Sequence, residues 1–160
     1  MPNSTEPVLY ITLSEATLTH PTSPIQRFFQ NHEHLSSKGD IPALVALYAD
    51  SFLAAGPQGA KCVRAADFAI ALPKRKQFFE DLGSKSTTLV GFEEVPLDAR
   101  YVLVRTKWKM TFSRNESDPQ QISVDSTFLV DTGPEGFKII LYLANQDIME
   151  VLKAHGILPS

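Results

Sequence analysis

Cysteine is almost missing from this sequence, with one residue in 160, Cys62. A lone cysteine closes no internal disulfide, and no Cys/His cluster with zinc spacing occurs, so the pattern fits a reducing compartment and no structural metal. Cys62 itself reads as a small buried hydrophobe. The opening MPNSTEPVLYITLSEATL has neither a basic leader nor a long apolar run. It resembles no signal peptide and no membrane span, so a cytoplasmic location and no membrane partner are expected. Asn115-Glu116-Ser117 matches a glycosylation acceptor, but no secretory route is expected to use it. An excess of positive charge is also lacking: the formal net charge of −3 offers no field to attract a nucleic-acid backbone. No phosphate loop and no Ser-His-Asp set is visible, and no cofactor is expected.

The hydrophobic share of 43% and charged share of 21% are those of an ordinary globular chain. A domain of this length buries roughly 70% of its unfolded surface around one core. Residues 1–24 carry Pro2, Pro7, Pro21 and Pro24 among Ser and Thr, and read as an extended arm in which VLYITL is a strand candidate. The domain proper is then expected over 25–160.

Ile25, Phe28, Phe29, His32 and Leu35 recur at helical spacing, and Gly39 follows as a stop. Asp40 is placed to cap a second helix, with Pro42 in its first turn and an apolar stripe of Ile41, Leu44, Val45 and Tyr48 ending in Tyr-Ala-Asp. Short strands are expected at Phe52 to Ala55, before Gly56-Pro57, and at Lys61 to Arg64. The run from Asp67 to Leu82 looks helical, with Pro73 either kinking it or starting the helix proper.

From Ser86 the period changes to two. Strands are predicted over Thr87–Val95, Arg100–Phe112, Gln121–Val130 and Phe137–Ala144, and a helix over Asp147–His155. Helices first and a meander of long strands last is an α+β arrangement with an antiparallel sheet. Val102, Val104, Thr106, Trp108, Met110 and Phe112 form one apolar face, as do Ile122, Val124, Ser126, Phe128 and Val130. Asp125 falls on the opposite face, where an ion pair with a lysine of the neighbouring strand is expected. The stretch Ile139 to Leu143 is apolar on both faces, so both need cover: one from the domain's helices, the other from a second subunit across Ile139, Leu141 and Leu143.

GDIPALVALYADSF, the Gly-Pro turn and the later RKQFFEDL resemble the nuclear transport factor two-like superfamily, above all its SnoaL-like and ketosteroid-isomerase-like branch. The resemblance covers roughly Ile25 to Asp147. It implies a cystatin-like fold, a cone-shaped curved antiparallel sheet with N-terminal helices packed in its concavity around an apolar pocket, and commonly a homodimer. It also implies an isomerase, cyclase or dehydratase, or a non-enzymatic member. The position of the isomerases' catalytic Asp is here Gly56, before Pro57. Their oxyanion-binding tyrosine falls on His32, and their protonated aspartic acid on Ser126, so steroid isomerisation is not expected.

Within such a hollow His32 is the candidate acid-base residue, because a near-neutral imidazole can give or take a proton. Phe28, Val104, Thr106, Trp108, Ser126, Phe128, Tyr142 and Gln146 are the candidate ligand-binding residues around an apolar small molecule. His34 lies off the apolar face, Asp50 reads as a helix-terminus residue, and Lys74-Arg75-Lys76 reads as a solvated face. Two functions stay open: acid-base chemistry on an apolar substrate, or a non-catalytic dimeric module that binds a ligand or a protein.

Overall fold

The computed structural model describes residues 22–114 and 118–159. The VLYITL strand candidate and the Asn115-Glu116-Ser117 acceptor lie outside them. The first helix, α1, spans Pro24–Lys38. Ser23 Oγ accepts the Gln26 N–H at its start, and at its end Gly39 takes φ 77° and donates its N–H to Leu35 and Ser36. Ser23 Oγ in turn donates to Glu94, which pins the helix start to the third strand.

The second helix is shorter than its stripe implies. It runs only over Ile41–Val45 (α2), and Tyr48-Ala49-Asp50 opens strand β1, Tyr48–Gly56, instead of closing the helix. The carbonyls a longer helix would use internally are taken from outside: Ala46 O accepts Lys138 Nζ at 2.7 Å, and Leu47 O accepts the Ile139 N–H at 2.9 Å. Tyr48 is thereby turned into a strand residue facing the core, 7% exposed.

Strand β2, Gly59–Arg64, forms a hairpin with β1 and is followed by helix α3, Ala65–Asp81. Pro73 lies inside that single helix; it neither starts nor ends it. Gly83 follows with φ 97°, and a Cβ there would sit 2.9 Å from the Ser113 carbonyl oxygen, so only glycine lets the chain turn at this point. Strands β3 (Ser84–Pro96), β4 (Tyr101–Phe112), β5 (Gln120–Asp131) and β6 (Lys138–Ala144) form the meander, and helix α4, Ile148–Ala154, is capped by Asp147.

The six strands lie in the order β2-β1-β6-β5-β4-β3, making one curved, unclosed sheet. All neighbours are antiparallel except β1 and β6, which pair in parallel. Helix α1 crosses the concave face. β3 is an edge strand with backbone donors to satisfy, and Glu33 on α1 accepts the Leu89 N–H at 2.7 Å.

The alternation predicted for the long strands holds. Val104, Thr106, Trp108, Met110 and Phe112 of β4, and Ile122, Ser126, Phe128 and Val130 of β5, are buried. On the outer face Lys107 stands opposite Asp125, Nζ to Oδ1 3.0 Å. β6 departs from simple alternation. Leu129 pairs with Leu141 but Val130 pairs with Ile139, so one extra residue bulges from β6. Ile139 therefore turns inward, fully buried, and does not belong to the outer face with Leu141 and Leu143. Cys62 is exposed rather than buried, because β2 is an edge strand with five of its six residues open to solvent.

The core has two parts. The larger gathers Ile25, Phe29, Tyr48, Phe52, Leu89 and Trp108 with their neighbours in the concavity, and the smaller joins Phe79, Met110, Phe112 and Ile122 to Leu152 and Ile157 beneath α4. No helix among the described residues is long and apolar enough to cross a membrane.

Candidate functional site

His32 projects from the third turn of α1 into an aromatic chamber. Its ring centroid lies 6.1 Å from Phe29, 5.7 Å from Tyr48, 6.0 Å from Trp108 and 5.9 Å from Phe128. Tyr142 joins through Phe128, 5.3 Å away. The strand period explains why β4 and β5 deliver these rings, and the helical period explains Phe29 and His32. The residue the sequence pattern missed is Tyr48, whose hydroxyl lies 2.8 Å from His32 Nε2. Read as a helical residue, it belonged to a different face; only the early end of α2 brings it here. The usable signal was its place in Tyr-Ala-Asp, directly after a stripe too short to need a second full turn.

Burial pushes the His32 imidazole down to about 4, so it is neutral at physiological pH. Burial also raises the Tyr48 hydroxyl far above its usual range; the neighbouring Tyr142 adds to this and the Arg75 charge opposes it. Two neutral groups thus share one hydrogen bond. The other ring nitrogen, Nδ1, is buried and has no hydrogen-bond partner among the described residues. If Tyr48 donates to Nε2, Nδ1 carries an N–H with no acceptor; if Nε2–H donates to Tyr48, Nδ1 presents a lone pair with no donor. Either way a buried ring nitrogen is left without a partner among the described residues.

The other candidates divide. Trp108 Nε1–H donates to Thr106 Oγ1 at 2.8 Å, and Thr106 donates to the Ser126 carbonyl at 3.0 Å, so these polar groups serve one another. Val104 is fully buried beside them and Ser126 is 6% exposed. Phe28 packs edge-on against Phe29 and Phe137, a ring away from His32. Gln146 is not brought to the chamber: its amide accepts from the Asp125 N–H at 2.7 Å and donates to the Asp125 carboxylate at 3.1 Å, beside Lys107. His34 and Asp50 are exposed. Gly56 ends β1 against Ala144 and itself supplies no carboxylate.

Helices cupped in a curved, unclosed sheet define the nuclear transport factor two-like, or cystatin-like, fold, and solved structures with that fold superpose on this chain. An NTF2-like protein with a cystatin-like fold from Novosphingobium aromaticivorans aligns over 100% of this chain and 99% of its own, with TM-score 0.65 and 12% identity. ActVI-ORFA from Streptomyces coelicolor aligns over 78% of this chain and 95% of its own, with TM-score 0.63 and 10% identity. A ketosteroid isomerase-like protein from Erwinia carotovora atroseptica aligns over 76% and 92%, with TM-score 0.57 and 19% identity. At such identities the likeness is one of fold. No protein-family model matches the sequence, and no curated protein matches it.

Proposed function

We propose that this chain is a small-molecule-binding domain of SnoaL-like type that acts on an apolar substrate by acid-base chemistry at His32. The observation carrying this reading is the His32–Tyr48 contact of 2.8 Å with Nδ1 left unpartnered inside an aromatic chamber. A buried polar atom without a partner costs about 1–3 kcal/mol, which a ligand carbonyl or acidic proton placed at Nδ1 would recover. With Tyr48 donating to Nε2, Nδ1–H stabilises negative charge growing on a substrate oxygen. In the other tautomer Nδ1 accepts a proton and Tyr48 shares the positive charge through Nε2–H. A ketosteroid isomerase-like protein among the structural neighbours lends support to isomerase chemistry in general, but Gly56 removes the carboxylate base of steroid isomerisation.

A second reading is favoured by a separate observation. Trp108 donates to Thr106 and Thr106 to the Ser126 backbone carbonyl, and the rings of the chamber pack closely, as in a non-catalytic dimeric module. The test is a screen of apolar carbonyl compounds against wild type, His32→Ala and Tyr48→Phe, run beside thermal unfolding. The acid-base reading expects binding or turnover to fall at least ten-fold in both variants. A loss of stability with unchanged binding overturns it and leaves His32 as core.

A further inference from the structure

A cleft of about 260 Å³ opens outside the aromatic chamber, between the end of α1, α2, the middle of α3 and the start of β3. Its volume is just below the roughly 300–1,000 Å³ usual for small-molecule sites. The floor is apolar, formed by Ile41, Leu44, Leu72 and Phe79. Above it stand Arg75, Lys76 and Lys85 against a single carboxylate, Glu80. Lys76 pairs with that carboxylate at 3.2 Å. Arg75 lies over the Phe79 ring at 4.9 Å with no carboxylate partner among the described residues, and Lys85 has none either. Five hydroxyls complete the rim, from Ser36 and Ser37 on α1 and Ser84, Ser86 and Thr87 on β3. The chain as a whole is acidic, at −3, so two exposed cations with no carboxylate partner among the described residues, set beside an apolar floor, are a local departure.

From this arrangement we infer that the cleft binds a monocarboxylate with an apolar body: the carboxylate on Arg75 and Lys85, the body on Leu44, Leu72 and Phe79. A guanidinium matches a carboxylate by two parallel hydrogen bonds, and that of Arg75 lies over the Phe79 ring at the edge of the apolar floor. A dianionic phosphate suits the cleft less well. The rim includes the last turn of α1, whose carbonyl end carries partial negative charge and disfavours a second charge on the ligand. The Arg75 charge also acts on the Tyr48 hydroxyl, but none of the residues lining this cleft is among the rings around His32.

The experiment titrates the full chain with octanoate, 1-octanol and octyl phosphate, following amide resonances, in wild type and in the Arg75→Gln/Lys85→Gln variant. The expected result is saturable octanoate binding with shifts centred on Ser36, Ser86 and Thr87. Octanoate affinity should fall at least ten-fold in the variant while the weaker 1-octanol binding is unchanged. Raising sodium chloride from about 50 to 500 mM should weaken octanoate and leave 1-octanol unchanged, which keeps the test decisive if the double variant does not fold. Equal affinity for octanoate and 1-octanol, tighter binding of octyl phosphate, or octanoate shifts confined to the chamber around His32 would each overturn the proposal.

Discussion

A histidine whose ring is surrounded by four aromatic side chains titrates unlike one in water. His32 has its folded pKa depressed to about 4 from 6.5. Between those values the unfolded chain binds a proton that the folded chain refuses, so folding stability rises with pH across this window and is lost as pH falls from about 6.5 towards 4. The contribution is on the order of 3 kcal/mol at neutral pH. Chemical denaturation at pH 4.5 and pH 7 should therefore show a larger stability difference in wild type than in His32→Phe, which cannot titrate. Equal differences would mean that the imidazole is solvated. Tyr48→Phe should retain the ring contacts at 4.8 Å to Phe52 and Phe68. It removes one hydrogen bond from a buried imidazole, and a loss of about 1–2 kcal/mol in melting experiments is expected.

At the level of elements, the position of His32 depends on how α1 is held across the sheet. Glu33 does this on the edge strand by accepting the Leu89 N–H, and Ser23 and Glu94 do it at the helix start. Glu33→Ala leaves a part-buried backbone donor on β3 unpaired, and an expected cost of about 1–3 kcal/mol should appear in thermal unfolding. Amide exchange checks the cause directly: Leu89 should lose protection in that variant while Trp108, across the ladder, keeps it. Uniform loss of protection would instead mean that the whole sheet has been weakened. The β6 bulge is the other positioning device at this scale. By inserting Ile140 between Ile139 and Leu141 it turns Ile139 into the core while Tyr142 still reaches Phe128.

For the whole molecule, the outer face matters most. The pairing register lines up Leu53, Leu141, Leu129, Leu103 and Val95 across five strands, and Leu53 is 42% exposed. A contiguous apolar row on a sheet face is a common mark of an interaction surface. A homodimer through this face is expected, and sedimentation at micromolar concentration should give twice the chain mass. Leu129→Glu places a charge at the middle of the row and should yield a folded monomer. A wild-type monomer under the same conditions would remove the dimer from the account.

Much of this architecture is readable from the chain without coordinates, because period is a local property. The two-residue alternation of β4 and β5 determines which side chains face inward, and the three-to-four spacing of α1 determines that Phe29 and His32 share that direction. The capping residues Asp40 and Asp147 and the stop at Gly39 mark helix ends for the same local reason. The tertiary structure alone decided where α2 ends, since its carbonyls are captured by Lys138 and Ile139, more than ninety residues along the chain. That capture places Tyr48 against His32. It also decided that Cys62 is exposed, that Gln146 serves Asp125, and that Arg75 and Lys85 overlook a common cleft. Each of these depends on which distant segments become neighbours, and that is a property of the assembled sheet rather than of any stretch of sequence.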